Sequence, residues 1–204
     1  MGTPSFYDKL QAIQTERGSD LALLLTPQLA KMPLPIARYD DPFLPFGKAI
    51  IDATRDLVCG YVFDLAAYLA IGAAGAVALE RTIAYAGGDG STITILHAPF
   101  VGTGYVEAVS NRAFNVDAVT LVSDSDVDAY LAEISGVFIM AQERTRVLSG
   151  VGIYHPVEHW LRFYERNRPI LKTRLVGKSV LYAGSGDDFD QQVRAAVSAE
   201  RSQR

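Results

Sequence analysis

The chain has 204 residues, of which 49% are hydrophobic and 21% charged, so it can bury a sizeable core and disorder is not expected. Nineteen basic and 23 acidic side chains give a net charge of −4, which argues against nucleic acid as a partner. The single cysteine, Cys59, excludes an intrachain disulfide and favours a reducing, cytoplasmic location. The N-terminus carries too many charges for a secretory signal, and the longest uncharged run, residues 65–79, is too short to span a membrane.

Short apolar runs alternate along the chain with segments of helical periodicity. We predict strands at residues 20–25, 58–63, 92–98, 117–123, 136–141 and 178–184. Helices are predicted in FGKAIIDATRDLV, AVALERTIAYAG, YVEAVSNRAF, VDAYLAEIS and PVEHWLRFYER, and in a closing segment with Phe189, Val193 and Val197 on one face.

Such an alternation is typical of an α/β domain with a mostly parallel sheet, which we expect to include all of residues 1–204. The strands are nearly continuous in apolar residues, as expected when helices cover both faces of a sheet. A closed eight-stranded β/α barrel takes about 250 residues. The pattern therefore leaves two architectures open, a shortened barrel and an open sheet.

Three segments, residues 50–87, 93–121 and 179–197, resemble the orotidine 5′-phosphate decarboxylase family in its bacterial, mycobacterial-type branch. The run GVFIMA at 136–141 fits the same order. This resemblance implies a β/α barrel of the phosphate-binding TIM-barrel type, here shortened or incomplete. It also implies a homodimer with active sites at the subunit interface.

The residues that carry the family's chemistry are replaced in this sequence. The family's Asp-x-Lys-x-x-Asp motif after the third strand corresponds to HAPFVG, residues 97–102, which has neither the lysine nor the two carboxylates. The strand-one aspartate corresponds to Thr26 and the lysine after strand two to Val62. The arginine of the phosphate loop aligns approximately with Lys178. The resemblance therefore implies that this chain does not decarboxylate orotidylate, because much of such catalysis rests on preorganised charge.

Two glycine-containing motifs are weak signals for phosphate. Lys178 lies in a GKS sequence, but a Walker A loop needs glycine where this chain has Lys172. Gly102 and Gly104 could cradle an anion through backbone amides or simply form a tight turn. The chain between Arg166 and Lys178 is expected to be too short for the family's remaining strands and phosphate loop.

Apolar side chains occupy or flank positions that face a polar nucleotide in the family. They are Val62, Phe63, Pro99, Phe100 and Val101. If they line the barrel mouth, the mouth favours an apolar ligand, by about 25 cal/mol per Å² buried. It would also disfavour a phosphate without a partner.

His97 is the strongest candidate for catalysis, because an imidazole can act as acid or base near neutral pH. The competing interpretation is a hydrogen-bonded core histidine. Tyr105 and Glu107 follow the bend as weaker candidates, and Glu107 could instead complement a helix dipole. Thr26 and Asp64 align with site positions, although a turn or helix cap would explain either.

We find no cofactor signature and predict no metal site. His155 and His159 are four residues apart, but Pro156 places the first before the predicted helix and further ligands are lacking. The basic residues near 163–168 are interpreted as a solvated face.

Three functional hypotheses follow. In the leading hypothesis, the chain binds a small, largely apolar metabolite at the mouth and catalyses a lyase, isomerase or cyclase step in specialised metabolism. Its competitor is a non-catalytic pseudoenzyme that dimerises or binds a partner, with Phe63 and Phe100 filling the former cavity. The third retains nucleotide binding through Lys178.

Overall fold

A computed structural model describes residues 4–110, 112–140 and 149–202. Within them, eight strands form one closed barrel in which each strand lies beside its neighbours in sequence. The strands are β1 Leu21–Leu25, β2 Gly60–Asp64, β3 Ile93–His97, β4 Ala118–Leu121, β5 Gly136–Met140, β6 Val151–His155, β7 Trp160–Tyr164 and β8 Leu171–Val176.

The barrel is closed but departs from a regular β/α repeat in its last quarter. Strands β1 to β6 pair parallel with one another in sequence order, and β8 pairs parallel with β1, at Ala22 and Leu175 for example. β7 runs antiparallel to both β6 and β8. The last three strands therefore follow one another without intervening helices, which lets eight strands close in a short chain.

The helices cover the barrel on its outer side and at one end. They are α1 Phe6–Arg17, α2 Phe43–Thr54, α3 Leu65–Leu69, α4 Ala73–Gly87, α5 Val106–Val109, α6 Val127–Leu131, α7 Lys178–Leu181 and α8 Phe189–Ser202. Short 3₁₀ turns lie at Leu29–Lys31 and Thr103–Tyr105. None of the helices in the described part of the chain is both long and apolar enough to cross a membrane.

Alternate residues of each strand enter two separate apolar cores. On β2, Val62 joins the core inside the barrel, whereas Tyr61 and Phe63 join the core between sheet and helices. This division follows from the two-residue period of strand side chains.

Helix α1 closes the N-terminal end of the barrel. Phe6 is 2% exposed, and its ring lies 4.7 Å from that of Phe163 and 5.6 Å from that of Phe138. A Cβ atom on Gly136 would come within 2.8 Å of the Phe6 ring, so glycine there makes room for the helix. Helix α1 therefore covers the N-terminal end of the barrel in the described part of the chain.

Much of the predicted order is confirmed. Strands form within each predicted run from 20–25 to 136–141, and Ala141 lies outside the described residues. Phe189, Val193 and Val197 are the buried residues of α8, as predicted. The predicted helix at 105–114 is limited to a 3₁₀ turn and α5, and Asn111 lies outside the described residues.

Two predictions near the C-terminus were wrong. Residues 156–166 do not form a helix, because Leu161 and Phe163 alternate with the outward Trp160, Arg162 and Tyr164 of β7. The last strand is not at 178–184, where α7 begins, but at Leu171–Val176.

The expected sheet of about six strands is likewise corrected to eight. The stretch between Arg166 and Lys178, predicted to be too short for the remaining strands, contains the whole of β8. Lys172 and Arg174 face outward along this strand, so it lacks the continuous apolar run that marks the other parallel strands.

Candidate functional site

Three neighbouring strands place polar side chains side by side at the open end of the barrel. Asp64 ends β2 and is paired with His97, which ends β3 and is paired in turn with Thr120 of β4. These residues lie two positions beyond Val62, Ile95 and Ala118, which belong to the inner core. Their side chains therefore point toward the barrel axis.

His97 is held by a buried threonine. Its Nδ1 atom lies 2.8 Å from Oγ1 of Thr120, and the same Oγ1 accepts the N–H of Ala98 at 3.2 Å. The imidazole and the ring of Tyr154 pack in a T-shaped arrangement, with centroids 5.2 Å apart and planes at 85°. The imidazole orientation is thus fixed from two sides.

The electrostatics keep His97 neutral near pH 7. Burial lowers the pKa of His97 below its ordinary value of 6.5, and the nearby carboxylate of Asp64 offsets only part of this effect. Burial also raises the pKa of Tyr154, and Asp64 adds to that increase. Both ring systems therefore stay uncharged at neutral pH, next to one carboxylate.

Asp64 has a second, structural role. Its Oδ1 atom accepts the N–H of Ala67 at 3.0 Å and so caps the N-terminus of α3. This cap fixes the carboxylate at the end of β2.

A cleft of about 560 Å³ opens where β8 and β1 meet at the same end of the barrel. Three residues predicted as site residues line it together: Thr26, Asp64 and Lys178. Thr26 is only 5% exposed, and its Oγ1 is buried with no hydrogen-bond partner in the described structure. A buried hydroxyl without a partner is costly, so Thr26 brings to the edge of the cleft a hydrogen-bonding group that the described protein atoms leave unused.

Charged side chains share the lining of the cleft with the apolar ones expected from the sequence. Besides Asp64 and Lys178, it includes Glu158, Arg174 and Glu200. Arg174 and Glu200 form an ion pair at 3.1 Å. The lining therefore combines charged groups with apolar side chains, among them Leu24, Leu175 and Val176.

Tyr182 positions the backbone next to Thr26. Its hydroxyl donates to the carbonyl oxygen of Thr26 at 3.1 Å and accepts the N–H of Gln28 at 2.8 Å. Its ring stacks on Phe46, with centroids 5.7 Å apart and planes at 8°. The residue fixes the segment that follows β1 against α7.

Several sequence-predicted residues lie elsewhere. Phe63 is fully buried in the outer core and faces away from the mouth, as strand alternation requires. Val62 faces inward but is 2% exposed, within the inner core below the mouth. Phe100 follows Pro99 in a turn closed by the bond from Val101 N–H to Ala98 O, and it is 92% exposed.

The segment after the bend makes its described side-chain contacts away from His97. The carbonyl of Gly102 accepts the hydroxyl of Tyr130 at 2.8 Å. Glu107 forms an exposed ion pair with Arg112 at 3.2 Å, and Tyr105 is 51% exposed. The structure does not bring Tyr105 or Glu107 to His97 by any described contact.

Sequence reasoning missed Thr120, Tyr154 and Tyr182. Thr120 is separated from His97 by 23 positions, so only the register of β3 and β4 joins them. A polar residue inside the apolar run DAVTLVS was the available signal for Thr120. Tyr182 was assigned to a strand, and this hid its hydroxyl contacts.

The two C-terminal histidines do not form a metal site. His155 stacks on Trp160 at 5.0 Å between centroids, and its Nδ1 accepts the N–H of Glu158 at 3.1 Å. Across residues 4–110, 112–140 and 149–202, no group of three or more His, Cys, Asp or Glu side chains could hold an ion.

A second cavity, of about 580 Å³, lies on the outer side of the barrel near the starts of β3 and β4. Lys9 and Asp117 line it and form an ion pair at 2.7 Å. Asp117 also accepts the N–H and hydroxyl of Thr94, at 2.8 and 3.0 Å. These charges bond to one another, which indicates a structural role at the barrel's N-terminal side.

Curated proteins named orotidine 5′-phosphate decarboxylase match this chain, although no family model does. The Herpetosiphon aurantiacus protein is 36% identical over 119 residues, which are 57% of this chain and 44% of that protein. The Flavobacterium johnsoniae protein is 34% identical over 125 residues, 57% of this chain and 46% of that protein. The chain resembles the orotidine 5′-phosphate decarboxylases. It spans less than half the length of these curated relatives.

Solved structures extend the likeness to almost the whole fold. Leishmania donovani OMP decarboxylase has a TM-score of 0.63 and 16% identity, covering 98% of this chain and 100% of that one. A Streptomyces avermitilis protein provisionally assigned as an orotidine 5′-phosphate decarboxylase has a TM-score of 0.70 and 16% identity, covering 99% and 95%. At such identities the likeness concerns the fold. The barrel expected from the resemblance is confirmed.

Proposed function

We propose that this orotidine 5′-phosphate decarboxylase-like chain does not decarboxylate orotidylate, and that it binds a small, oxygen-bearing metabolite at the C-terminal end of its barrel. The observation that carries the proposal is the buried, unpartnered hydroxyl of Thr26 in a cleft shared with Asp64 and Lys178. Active sites of β/α barrels lie at this end.

The loss of decarboxylation is supported by the corner after β3. Residues 97–102 read HAPFVG, so they provide no lysine to protonate a carbanion and no pair of carboxylates. Val62, at the position of the second lysine, is buried in the inner core. The charge that remains, on Asp64 and Lys178, comes from the end of β2 and the start of α7.

The polar groups of the cleft support a ligand that carries oxygen atoms, and its apolar side chains support the largely apolar body that the sequence suggested. A hydroxyl, a carboxylate and an ammonium group can bond to the oxygens of a small metabolite. If the site is catalytic, a cofactor-free lyase, isomerase or cyclase step fits, with His97 and Asp64 as the groups at the reacting end. His97 ends β3 at the same end of the barrel, outside the lining of the cleft.

The test is a screen of small metabolites against the wild-type chain and Thr26→Val. Removing an unbonded hydroxyl should leave stability unchanged or raise it by up to about 1 kcal/mol, while ligand affinity falls about tenfold. Thr173→Val is the matched control, because the Thr173 hydroxyl accepts Gln14 Nε2 at 3.1 Å and lies outside the cleft. It should lose about 1 kcal/mol of stability and keep its affinity.

Saturation-transfer NMR would detect binding, and denaturant unfolding would measure stability. The proposal would be contradicted if lipophilic compounds bound and no polar metabolite did. It would also be contradicted by a Thr26→Val variant that binds the selected metabolite as tightly as wild type.

A partner-binding role is the second candidate, and exposed apolar residues on the loops at the mouth favour it. Phe100 is 92% exposed, Val157 70% and Tyr105 51%. Exposed apolar side chains around the mouth are more typical of a subunit interface, as in a homodimer, than of a surface in contact with water. Because Phe63 and Phe100 do not fill the mouth, the collapsed-cavity form of this hypothesis loses its support.

Sedimentation velocity of the wild type and of Phe100→Ser tests the homodimer. The variant should self-associate less than the wild type, with the same stability. A wild-type chain that sediments as a monomer would reject the dimer.

A further inference from the structure

The hydroxyl of Thr120 has a restricted choice of hydrogen-bond partners. Thr120 is 0% exposed, so water does not reach the side chain. In the described structure its Oγ1 atom has two partners, the backbone N–H of Ala98 at 3.2 Å and Nδ1 of His97 at 2.8 Å. A threonine hydroxyl provides one hydrogen and can accept two.

The chemistry of these two partners fixes the direction of each bond. A backbone amide can only donate, so Oγ1 accepts from Ala98. Among the described residues, the hydroxyl hydrogen then has one acceptor within reach, Nδ1 of His97. If Nδ1 carried a hydrogen instead, the buried hydroxyl would be left without an acceptor, which is the costly arrangement.

We propose that Thr120 holds His97 in the neutral tautomer with its hydrogen on Nε2, so that the barrel mouth offers a ligand an N–H donor at this position. Thr120 is then a positioning residue, acting on the ligand through His97. The inference deepens the proposed function and rests on it for the presence of a ligand.

The surroundings of His97 narrow the chemical class of that ligand. The side chain is partly exposed at the mouth, between Tyr154 and Asp64. An N–H donor requires an acceptor, and the adjacent carboxylate of Asp64 repels a second negative charge. The ligand group that fits is an uncharged carbonyl oxygen, as in a ketone, aldehyde or amide.

Nitrogen-15 NMR of the imidazole rings tests the tautomer directly, without any ligand. The chain has three histidines, and His97→Asn identifies the resonances of this ring by their loss. Near neutral pH we expect Nδ1 of His97 to be unprotonated and Nε2 protonated. A ring protonated on Nδ1, or on both nitrogens, would overturn the assignment.

Two variants separate the hydroxyl from the shape of the side chain. Thr120→Ser keeps the hydroxyl and should keep the wild-type tautomer. Thr120→Val keeps the shape, and both tautomers should become populated. A Val variant with the wild-type nitrogen pattern would show that the hydroxyl does not set the tautomer. Because no ligand is added, an unsuccessful metabolite screen would reject the proposed function without deciding the tautomer.

Discussion

The hydroxyl of Tyr182 donates to the carbonyl oxygen of Thr26 at 3.1 Å, and this bond joins α7 to the end of β1. The hydroxyl oxygen of Tyr182 also accepts the N–H of Gln28 at 2.8 Å. One side chain thus satisfies two backbone groups beside the unpartnered Thr26 hydroxyl. The cleft depends on a residue that does not itself line it.

Tyr182→Phe should destabilise the protein by about 1–2 kcal/mol, because Gln28 N–H and Thr26 C=O both lose their partner. The phenyl ring keeps the stacking on Phe46, so the core should persist. Urea unfolding measures the change, with Tyr39→Phe at a 58% exposed tyrosine as control. Equal stability of the two variants would contradict this role for Tyr182.

His97 should make the protein less stable in acid. Its pKa in the folded state lies below the ordinary 6.5, so the unfolded chain binds the proton more readily. The stabilisation contributed by neutral His97 is fully present above pH 6.5. It is lost as the pH falls from 6.5 toward the pKa of His97 in the folded state. Asp64 and Tyr154 face the ring, and the carboxylate only moderates the effect.

The measurement is unfolding free energy between about pH 8 and about pH 5, for wild type and His97→Asn. The carboxylates titrate in both proteins, so their contribution cancels in the difference. Wild type should lose more stability than the variant. A larger loss in His97→Asn would contradict the direction of the shift.

Gly152→Ala should lower stability by about 1–3 kcal/mol through overpacking of the barrel interior. A Cβ atom there would lie 2.3 Å from the ring of Phe138 and 2.8 Å from the carbonyl oxygen of Arg162. Gly104→Ala is the control, because its Cβ would meet nothing within 4 Å. Thermal unfolding compares the two. A Gly152→Ala variant as stable as the control would show that the inner core has spare room.

Phe6→Ala should cost about 3–5 kcal/mol, because it removes a buried ring from the N-terminal end of the barrel. The ring contacts Phe138 and Phe163 at 5.6 and 4.7 Å between centroids. Leu34→Ala, at a residue 66% exposed, should change stability little. Denaturant unfolding gives both values, and equal midpoints would mean that α1 does not close the barrel.

The first five strands could be predicted because both of their faces meet apolar neighbours, which makes each strand a short, nearly continuous apolar run. Few other structures fit runs of this kind. It failed at β7, where Trp160, Leu161 and Tyr164 have a spacing that also fits a helix. It failed at β8, where Lys172 and Arg174 interrupt the apolar run. Tertiary pairing with β6 and β1, which local periodicity does not contain, decides both strands.

The candidate site was predicted in part. Thr26, Asp64 and Lys178 come together in one cleft because three strand ends meet at the same end of the barrel. Phe63 was misplaced because a shift of one position along a strand reverses the direction of the side chain. Thr120 and Tyr182 act through contacts between distant parts of the chain, which no local pattern shows.

The loss of decarboxylation is the central claim, and incubation with orotidine 5′-phosphate tests it most directly. Conversion to uridine 5′-phosphate would be followed by ultraviolet absorbance, with an active relative as positive control. We expect no conversion above the uncatalysed rate. Sustained turnover that is lost in Lys178→Ala or Asp64→Asn would contradict the account, because charges from other strands would then have replaced the missing motif.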